Sequence, residues 1–236
     1  MERTVLITGG SKGIGFATAK QFLSQGDRII ITGRNEEKLK EASEKLGGCP
    51  YLVWDIANIS LAAEMIEQAD AFYNGIDVFV NNAGVVLQWG YGFLEMTEEI
   101  WDKTMEINLK GLYFACQAEA NYFLAKGRKG HIVNVCSEMG FRAAADPYGI
   151  SKWGVRGMTL GLAKVLGPQG IVVNAIAPGE TATEILRQQE GEVKPLESPR
   201  GVQAIPEEMA RTIYLLATED NMIGTILLTD GGRSLH

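Results

Sequence analysis

The chain is poor in the residues that mark disulfide scaffolds, zinc proteins and membrane proteins. Three cysteines, Cys49, Cys116 and Cys136, are scattered through 236 residues. An odd set without C-x-x-C spacing argues against a disulfide framework and a thiolate zinc site. His131 and His236 are the only histidines, so a histidine-rich metal cluster is excluded and no metal is expected. Lys and Arg number 22 against 29 Asp and Glu, a formal net charge of -7. That balance argues against nucleic acid or an acidic membrane surface as the main partner. No apolar run approaches the length of a membrane span. The N-terminus enters a strand pattern directly, which leaves no room for a signal peptide. A soluble cytoplasmic protein with reduced thiols is the expectation.

What the sequence does have begins at residues 4–15, TVLITGGSKGIG. Residues 5–8 are a continuous apolar run ending on Thr8, the signature of a parallel strand buried on both faces. Gly9, Gly13 and Gly15 follow. Glycine permits a sharp turn and a close backbone approach to a ligand, and the helix start beyond offers N–H groups and a positive dipole end to a pyrophosphate. The pattern then alternates. Strands are predicted at 28–32, 50–54, 77–80, 131–135, 171–176 and 226–229. Helices are predicted from the glycine turn to Gly26, and at 35–46, 60–74, 97–108, 109–125, 148–166 and 206–217. Alternation of this kind implies a parallel sheet covered by helices on both faces. The expected architecture is one α/β domain over residues 1–236, a Rossmann-type doubly wound sheet of about seven strands. Residues 180–205 lose periodicity and carry Pro195, Pro199 and many charges. They are predicted to be a substrate loop or lid.

Ligands of such sheets bind beyond the carboxyl ends of the strands. Those ends carry, in order, the glycines, Gly33-Arg34, Asp55, Asn81-Asn82-Ala83-Gly84, Ser137 and Pro178-Gly179. Tyr148 and Lys152 follow Ser137 at i,i+4 spacing, on one helix face. A nearby ammonium favours the phenolate, so Lys152 is expected to lower the Tyr148 pKa toward a usable acid–base range. Ser137 is placed to hydrogen-bond a substrate oxygen. A second Tyr-x-x-x-Lys, Tyr122 to Lys126, lacks a strand-end serine upstream and reads as an ordinary helix pair.

Thr8-Gly9-x-x-x-Gly13-x-Gly15, Asn81-Asn82-Ala83-Gly84, Asn108, Ser137, Tyr148-x-x-x-Lys152, Pro178-Gly179 and Asp230-Gly231-Gly232 occur in one order over nearly the whole chain. In this the sequence resembles the short-chain dehydrogenase/reductases. The resemblance implies that Tyr148 is the general acid in reduction and the base in oxidation. Lys152 would bind the nicotinamide ribose and lower the Tyr148 pKa, Ser137 would hold the carbonyl oxygen, and Asn108 would keep a water in the proton relay. The implied cofactor contacts are Gly9, Ser11, Lys12, Gly13, Ile14, Gly15, Arg34, Asp55, Ile56, Asn82, Ala83, Gly84, Tyr148, Lys152, Pro178, Gly179, Thr181 and Thr183. Among them Asp55 would meet adenine and Asn82 the adenine-side ribose. Position 181 is usually Val or Ile in the family and is Thr here.

An acid after the second strand would accept from the ribose 2′-OH and repel a 2′-phosphate. Gly33-Arg34 stands there instead, with Lys12 nearby in the glycine turn, which favours NADP(H) over NAD(H). The expected activity is interconversion of a carbonyl and a secondary alcohol by hydride transfer. The alternatives are an NADP(H) sensor without turnover, and an epimerase or dehydratase on the same fold. Helices 109–125 and 152–166 resemble those that pair subunits in the family, implying a homotetramer or homodimer. Glu138 is open between lining the pocket and facing water. Trp89, Tyr91 and Phe93 are open between a pocket wall and loop packing. Trp153 reads as core or subunit contact and His131 as structural.

Overall fold

The computed structural model describes residues 2–189 and 191–235; His236 and position 190 of the 180–205 segment lie outside the described residues. Seven strands form one sheet in the order β3-β2-β1-β4-β5-β6-β7. They are β1 (Thr4–Thr8), β2 (Arg28–Gly33), β3 (Tyr51–Val53), β4 (Val78–Asn81), β5 (Gly130–Val135), β6 (Ile171–Pro178) and β7 (Ile226–Thr229). All pairings are parallel, with Thr8 opposite Thr32 on one side and Asn81 on the other. The chain leaves β1 toward β2 and β3, then returns to β4 on the opposite side. That reversal opens a crevice above the carboxyl ends of β1 and β4, the position where such sheets bind ligands.

Alternate side chains of each strand serve opposite faces. Val5 and Ile7 of β1 pack with Phe22 of α1 (Gly13–Ser24), Leu39 of α2 (Glu36–Lys45) and Ile213 of α7 (Pro206–Leu216). Leu6 packs with Ile66 of α3 (Ala62–Tyr73), Phe123 of α5 (Leu112–Lys126) and Val155 of α6 (Pro147–Leu166). Burying each such large apolar side chain contributes about 1.5–3 kcal/mol. Edge-to-face packing of Phe79 on Phe123, centroids 5.2 Å apart, adds to the second face. Local signals set the helix starts. The Asn35 side chain accepts from Lys38 N at 2.9 Å, and the Asp146 side chain accepts from Gly149 N at 2.9 Å. Pro147 then occupies the first helical turn of α6, where its missing N–H costs nothing.

One element differs from expectation. Residues 97–125 were to form two helices, broken after Asn108. Instead α4 (Glu98–Met105), a π turn (Glu106–Gly111) and α5 run on as one continuous helical stretch. A π turn inserts an extra residue, which rotates the apolar stripe by about one residue's 100° and mimics a new helix in the sequence. Strand β6 also runs on to Pro178, two residues past its predicted end.

Candidate active site

The glycine turn is built around a protein side chain as well as a ligand surface. Asn82 Nδ2 donates to the Thr8 and Gly9 carbonyls, both at 3.0 Å. The Thr8 hydroxyl accepts from Asn82 N at 3.0 Å and Ala83 N at 3.1 Å. These bonds lock the end of β1 to the end of β4. They also hold the Asn82 side chain against the glycine turn. A Cβ on Gly15 would lie 2.5 Å from Asn82 Nδ2 and collide with the Gly9 carbonyl oxygen. Gly9 itself has φ +66°, a conformation that glycine adopts without strain. We expect Gly15→Ala to destabilise the fold by about 1–3 kcal/mol, the range for overpacking, and to weaken dinucleotide binding; urea unfolding and nucleotide titration check this, and wild-type values in both would refute the packing account.

At the start of α1, the N-cap residue Lys12 makes no side-chain capping bond, and the first turn holds no acidic residue. The N–H groups of this first turn thus have no side-chain cap, the arrangement in which a helix start can take an anion. Ile14 lies in this first turn. The loop after β6 crosses the turn: a Cβ on Gly13 would lie 3.3 Å from Thr183 Cγ2, and Lys12 pairs with Glu184. At the end of β2, Gly33 faces Ser11, and Arg34 is exposed. Asp55, after β3, accepts from Ala57 N at 3.1 Å, and Ile56 beside it is buried.

The catalytic candidates converge beyond β5. Ser137 is buried and its Oγ accepts from Met139 N at 3.2 Å, capping the short turn Glu138–Gly140. Tyr148 enters from the first turn of α6, set by Asp146 and Pro147. Lys152 Nζ lies 5.6 Å from the Tyr148 ring centroid and donates to the Val135 carbonyl at 2.9 Å. Gly84 allows the β4 loop to approach: a Cβ there would lie 3.3 Å from Asn108 Oδ1 and 4.0 Å from Lys152 Nζ. The buried Asn108 side chain accepts from Val85 N and donates to Val85 O, both at 2.8 Å. After β6, Gly179 packs against Asp230, and a Cβ there would lie 2.7 Å from Asp230 Cα. The Thr181 hydroxyl donates to Gly179 O at 3.1 Å, and the Thr183 hydroxyl to Thr181 O at 3.2 Å.

The electrostatics correct one expectation. Tyr148 is not lowered by Lys152 in the protein alone. Burial pushes its phenol up to about 12, against an opposing hydrogen bond from Ser137, and neighbouring Cys136, Glu138 and Asp146 raise it further. Burial also lowers the Lys152 ammonium.

Several residues fall outside this constellation. Tyr122 is buried, accepts from Ile76 N at 2.9 Å and donates to Asp70 at 2.6 Å; Lys126 joins the same Asp70. The second Tyr-x-x-x-Lys is thus a clamp between α5 and α3. His131 pairs with Asp220 at 3.0 Å, and Trp153 donates from its indole to Arg142 O. Trp89, Tyr91 and Phe93 are exposed, with Arg187 stacked over Trp89. Glu138 does not face water: it is buried in an ion pair with Arg233 at 2.8 Å. Arg233 carried no sequence signal beyond following Asp230-Gly231-Gly232. Glu119, buried in the sheet-facing side of α5, carried none. Among the described residues, no group of three or more His, Cys, Asp or Glu could hold a metal ion, and no helix is long and apolar enough to cross a membrane.

A doubly wound parallel sheet with a glycine turn after β1 and a Ser, Tyr and Lys gathered beyond β5 defines the architecture of a dinucleotide-dependent oxidoreductase. Residues 3–194 match the short chain dehydrogenase family, and the chain belongs to it. The BbsD subunit of (2S)-[(R)-hydroxy(phenyl)methyl]succinyl-CoA dehydrogenase from Thauera aromatica is 33% identical, over 99% of this chain and 97% of that protein. The 3-oxoacyl-[acyl-carrier-protein] reductase FabG of Thermotoga maritima is 36% identical over 98% and 97%. Among solved structures, ElxO with NADP bound superposes with a TM-score of 0.89 at 31% identity, covering 99% of both chains. The chain is accordingly an oxidoreductase of this family.

Proposed function

We propose that this protein interconverts a carbonyl and a secondary alcohol using NADP(H), with Tyr148 as general acid and base. The observation that carries the reading is the placement of Tyr148 and Lys152 on one face of α6, beside the buried Ser137, with the glycine turn at the same end of the sheet. When bound, the nicotinamide supplies or accepts the hydride. The residues fit such a group: the uncapped α1 N-terminus suits a pyrophosphate. Ser137 donates to the carbonyl oxygen and orients it. Tyr148 delivers its phenolic proton to that oxygen in reduction and takes it back in oxidation. Lys152 uses one N–H on Val135 O, leaving two donors for the ribose hydroxyls.

The substrate side lies between the loop 85–96 and the segment 180–205, which we take as the lid. This segment folds on itself through the bridges Thr181–Ala204 and Pro195–Val202. The named substrates of the two relatives are a hydroxyacyl-CoA and a 3-oxoacyl carrier-protein conjugate, so 3-oxoacyl thioesters head the panel, followed by ketones, aldehydes, diketones and ketosteroids. NADPH oxidation by any of them supports the reading. Tight NADPH binding with no turnover across the panel favours a redox sensor.

Cofactor choice rests on Arg34 and Lys12 and on the missing acid after β2. Hydrogen bonds to charged groups contribute roughly 1.5–3 kcal/mol, about 10- to 100-fold in affinity. Arg34→Asp should therefore reverse a preference for NADPH over NADH, read as the ratio of dissociation constants; an unchanged ratio refutes the assignment. We place the enzyme in the cytoplasm, where its three buried cysteines stay reduced, as a homotetramer or homodimer. Supporting an interface is the apolar groove between Leu109, Tyr113, Phe114, Met158 and Leu162, on the helices that would pair.

A further inference from the structure

Beyond β7 the chain turns sharply at Asp230. Its carboxylate accepts from Gly232 N at 3.0 Å and Ser234 N at 2.8 Å, while Gly231 and Gly232 have φ of +65° and +83°. The turn delivers Arg233 back to the mouth of the site. There a single guanidinium nitrogen donates to Glu138 Oε1 at 2.8 Å and to Glu180 Oε1 at 2.6 Å. Glu138 is the neighbour of Ser137. Glu180 follows Pro178-Gly179 at the root of the 180–205 segment, and its second oxygen is held by Gln203 at 3.2 Å.

The Glu138 side chain is only 5% exposed. Its other oxygen has no hydrogen-bond partner, and the remaining cation nearby, Arg142, stands 3.7 Å away. Removing one partner of a buried pair leaves an uncompensated charge, the costly case. Without Arg233, two carboxylates that share one donor would also face each other directly.

We infer that Arg233 is a positioning residue, tying the catalytic-serine turn to the root of the substrate loop through Glu138 and Glu180. It touches neither reacting group and acts through their neighbours. The inference rests on the proposed role of Ser137. Its physical content is electrostatic: neutralising Glu138 should remove the need for Arg233.

The test compares wild type, Arg233→Met, and Arg233→Met with Glu138→Gln. The first readout is steady-state carbonyl reduction with NADPH. The second, which needs no turnover, is the rate of tryptic cleavage at the exposed Arg187 and Arg200 in the loop. Arg233→Met should lower kcat by about tenfold, since displacements near 1 Å cost up to about a hundredfold. The NADPH dissociation constant should change by less than about twofold, because Arg233 makes no contact with the glycine turn or Lys152. Loop cleavage should accelerate. Adding Glu138→Gln should recover most of the kcat and slow the cleavage again. A single variant with kcat and cleavage within about twofold of wild type overturns the inference. So does a loss that Glu138→Gln fails to rescue, since packing of the tail alone would then explain it. A wild-type protein that reduces no carbonyl refutes the proposed function instead, and the cleavage arm then decides the role of Arg233 by itself.

Discussion

Tyr148→Phe is expected to lower kcat for carbonyl reduction by about 10³-fold, within the roughly 10²–10⁴-fold range for loss of a positioned general acid. NADPH should still bind, because the glycine turn and Lys152 remain. The change removes one hydroxyl from a ring that otherwise fits the same space, so the fold should survive. The phenol's elevation to about 12 sets the pH dependence and its sign. In reduction the protonated form is the reactive one, and it persists through the neutral range, so the wild-type rate should show no loss of this acid below the alkaline region. In oxidation the phenolate is required, so alcohol oxidation should rise with pH. A bound cofactor that brings positive charge near the ring would lower the alkaline limit without changing the direction. Full reductase activity in Tyr148→Phe, or alcohol oxidation that falls as pH rises from neutral, would refute Tyr148 as the proton donor.

The second large effect concerns stability. Glu119 is 1% exposed. Asn81 Nδ2 donates to its Oε2 at 2.9 Å, and the same amide reaches Asn134 Oδ1 at 3.1 Å. Asn134 continues to the Thr159 hydroxyl at 3.1 Å. A polar chain thus crosses from α5 through β4 and β5 to α6, the helix that carries Tyr148. Burial raises the Glu119 carboxyl from 4.5 to about 8, against a smaller opposing effect of Asn81. The folded protein therefore holds a proton that the unfolded chain releases near its ordinary value. The contribution to stability is fully present below about pH 4.5 and is lost as pH rises to about 8. Linkage sets an upper limit of about 5 kcal/mol on that loss, less where the site relaxes or admits water. Glu119→Gln keeps the shape and has no proton to lose. Its stability relative to wild type should increase as pH is raised from 5 to 9 in urea unfolding; parallel curves for the two proteins would show that Glu119 is ionised at neutral pH.

These effects differ in how far they could be read from the residues. Tyr148, Lys152 and Ser137 were legible because their spacing and strand-end position constrain them locally: four residues make about one helical turn, and Ser137 comes two residues after Val135, the end of β5. The strands were legible because both faces are buried, which demands uninterrupted apolar runs such as residues 5–7 and 29–31. The π turn was not, because its extra residue changes the phase of the apolar stripe in the same way as a chain break. The pKa of Tyr148 was misjudged for a related reason. Sequence spacing brought Lys152 near, but the Val135 carbonyl and the burial of the ring are set by elements elsewhere in the chain.

By itself, then, the sequence determined the alternation of strands and helices, the glycine turn, and the identities of the groups beyond the strand ends, since each follows from short-range periodicity or local backbone freedom. Only the tertiary structure decided what those groups touch. Asn82 is bonded to the carbonyls of the glycine turn, Glu138 meets Arg233 from 95 residues away, and Glu119 is sealed beneath the sheet. Charge, burial and hydrogen bonding depend on distance in space. The fold that brings positions 138, 180 and 233 together sets those distances, and no spacing along the chain encodes them.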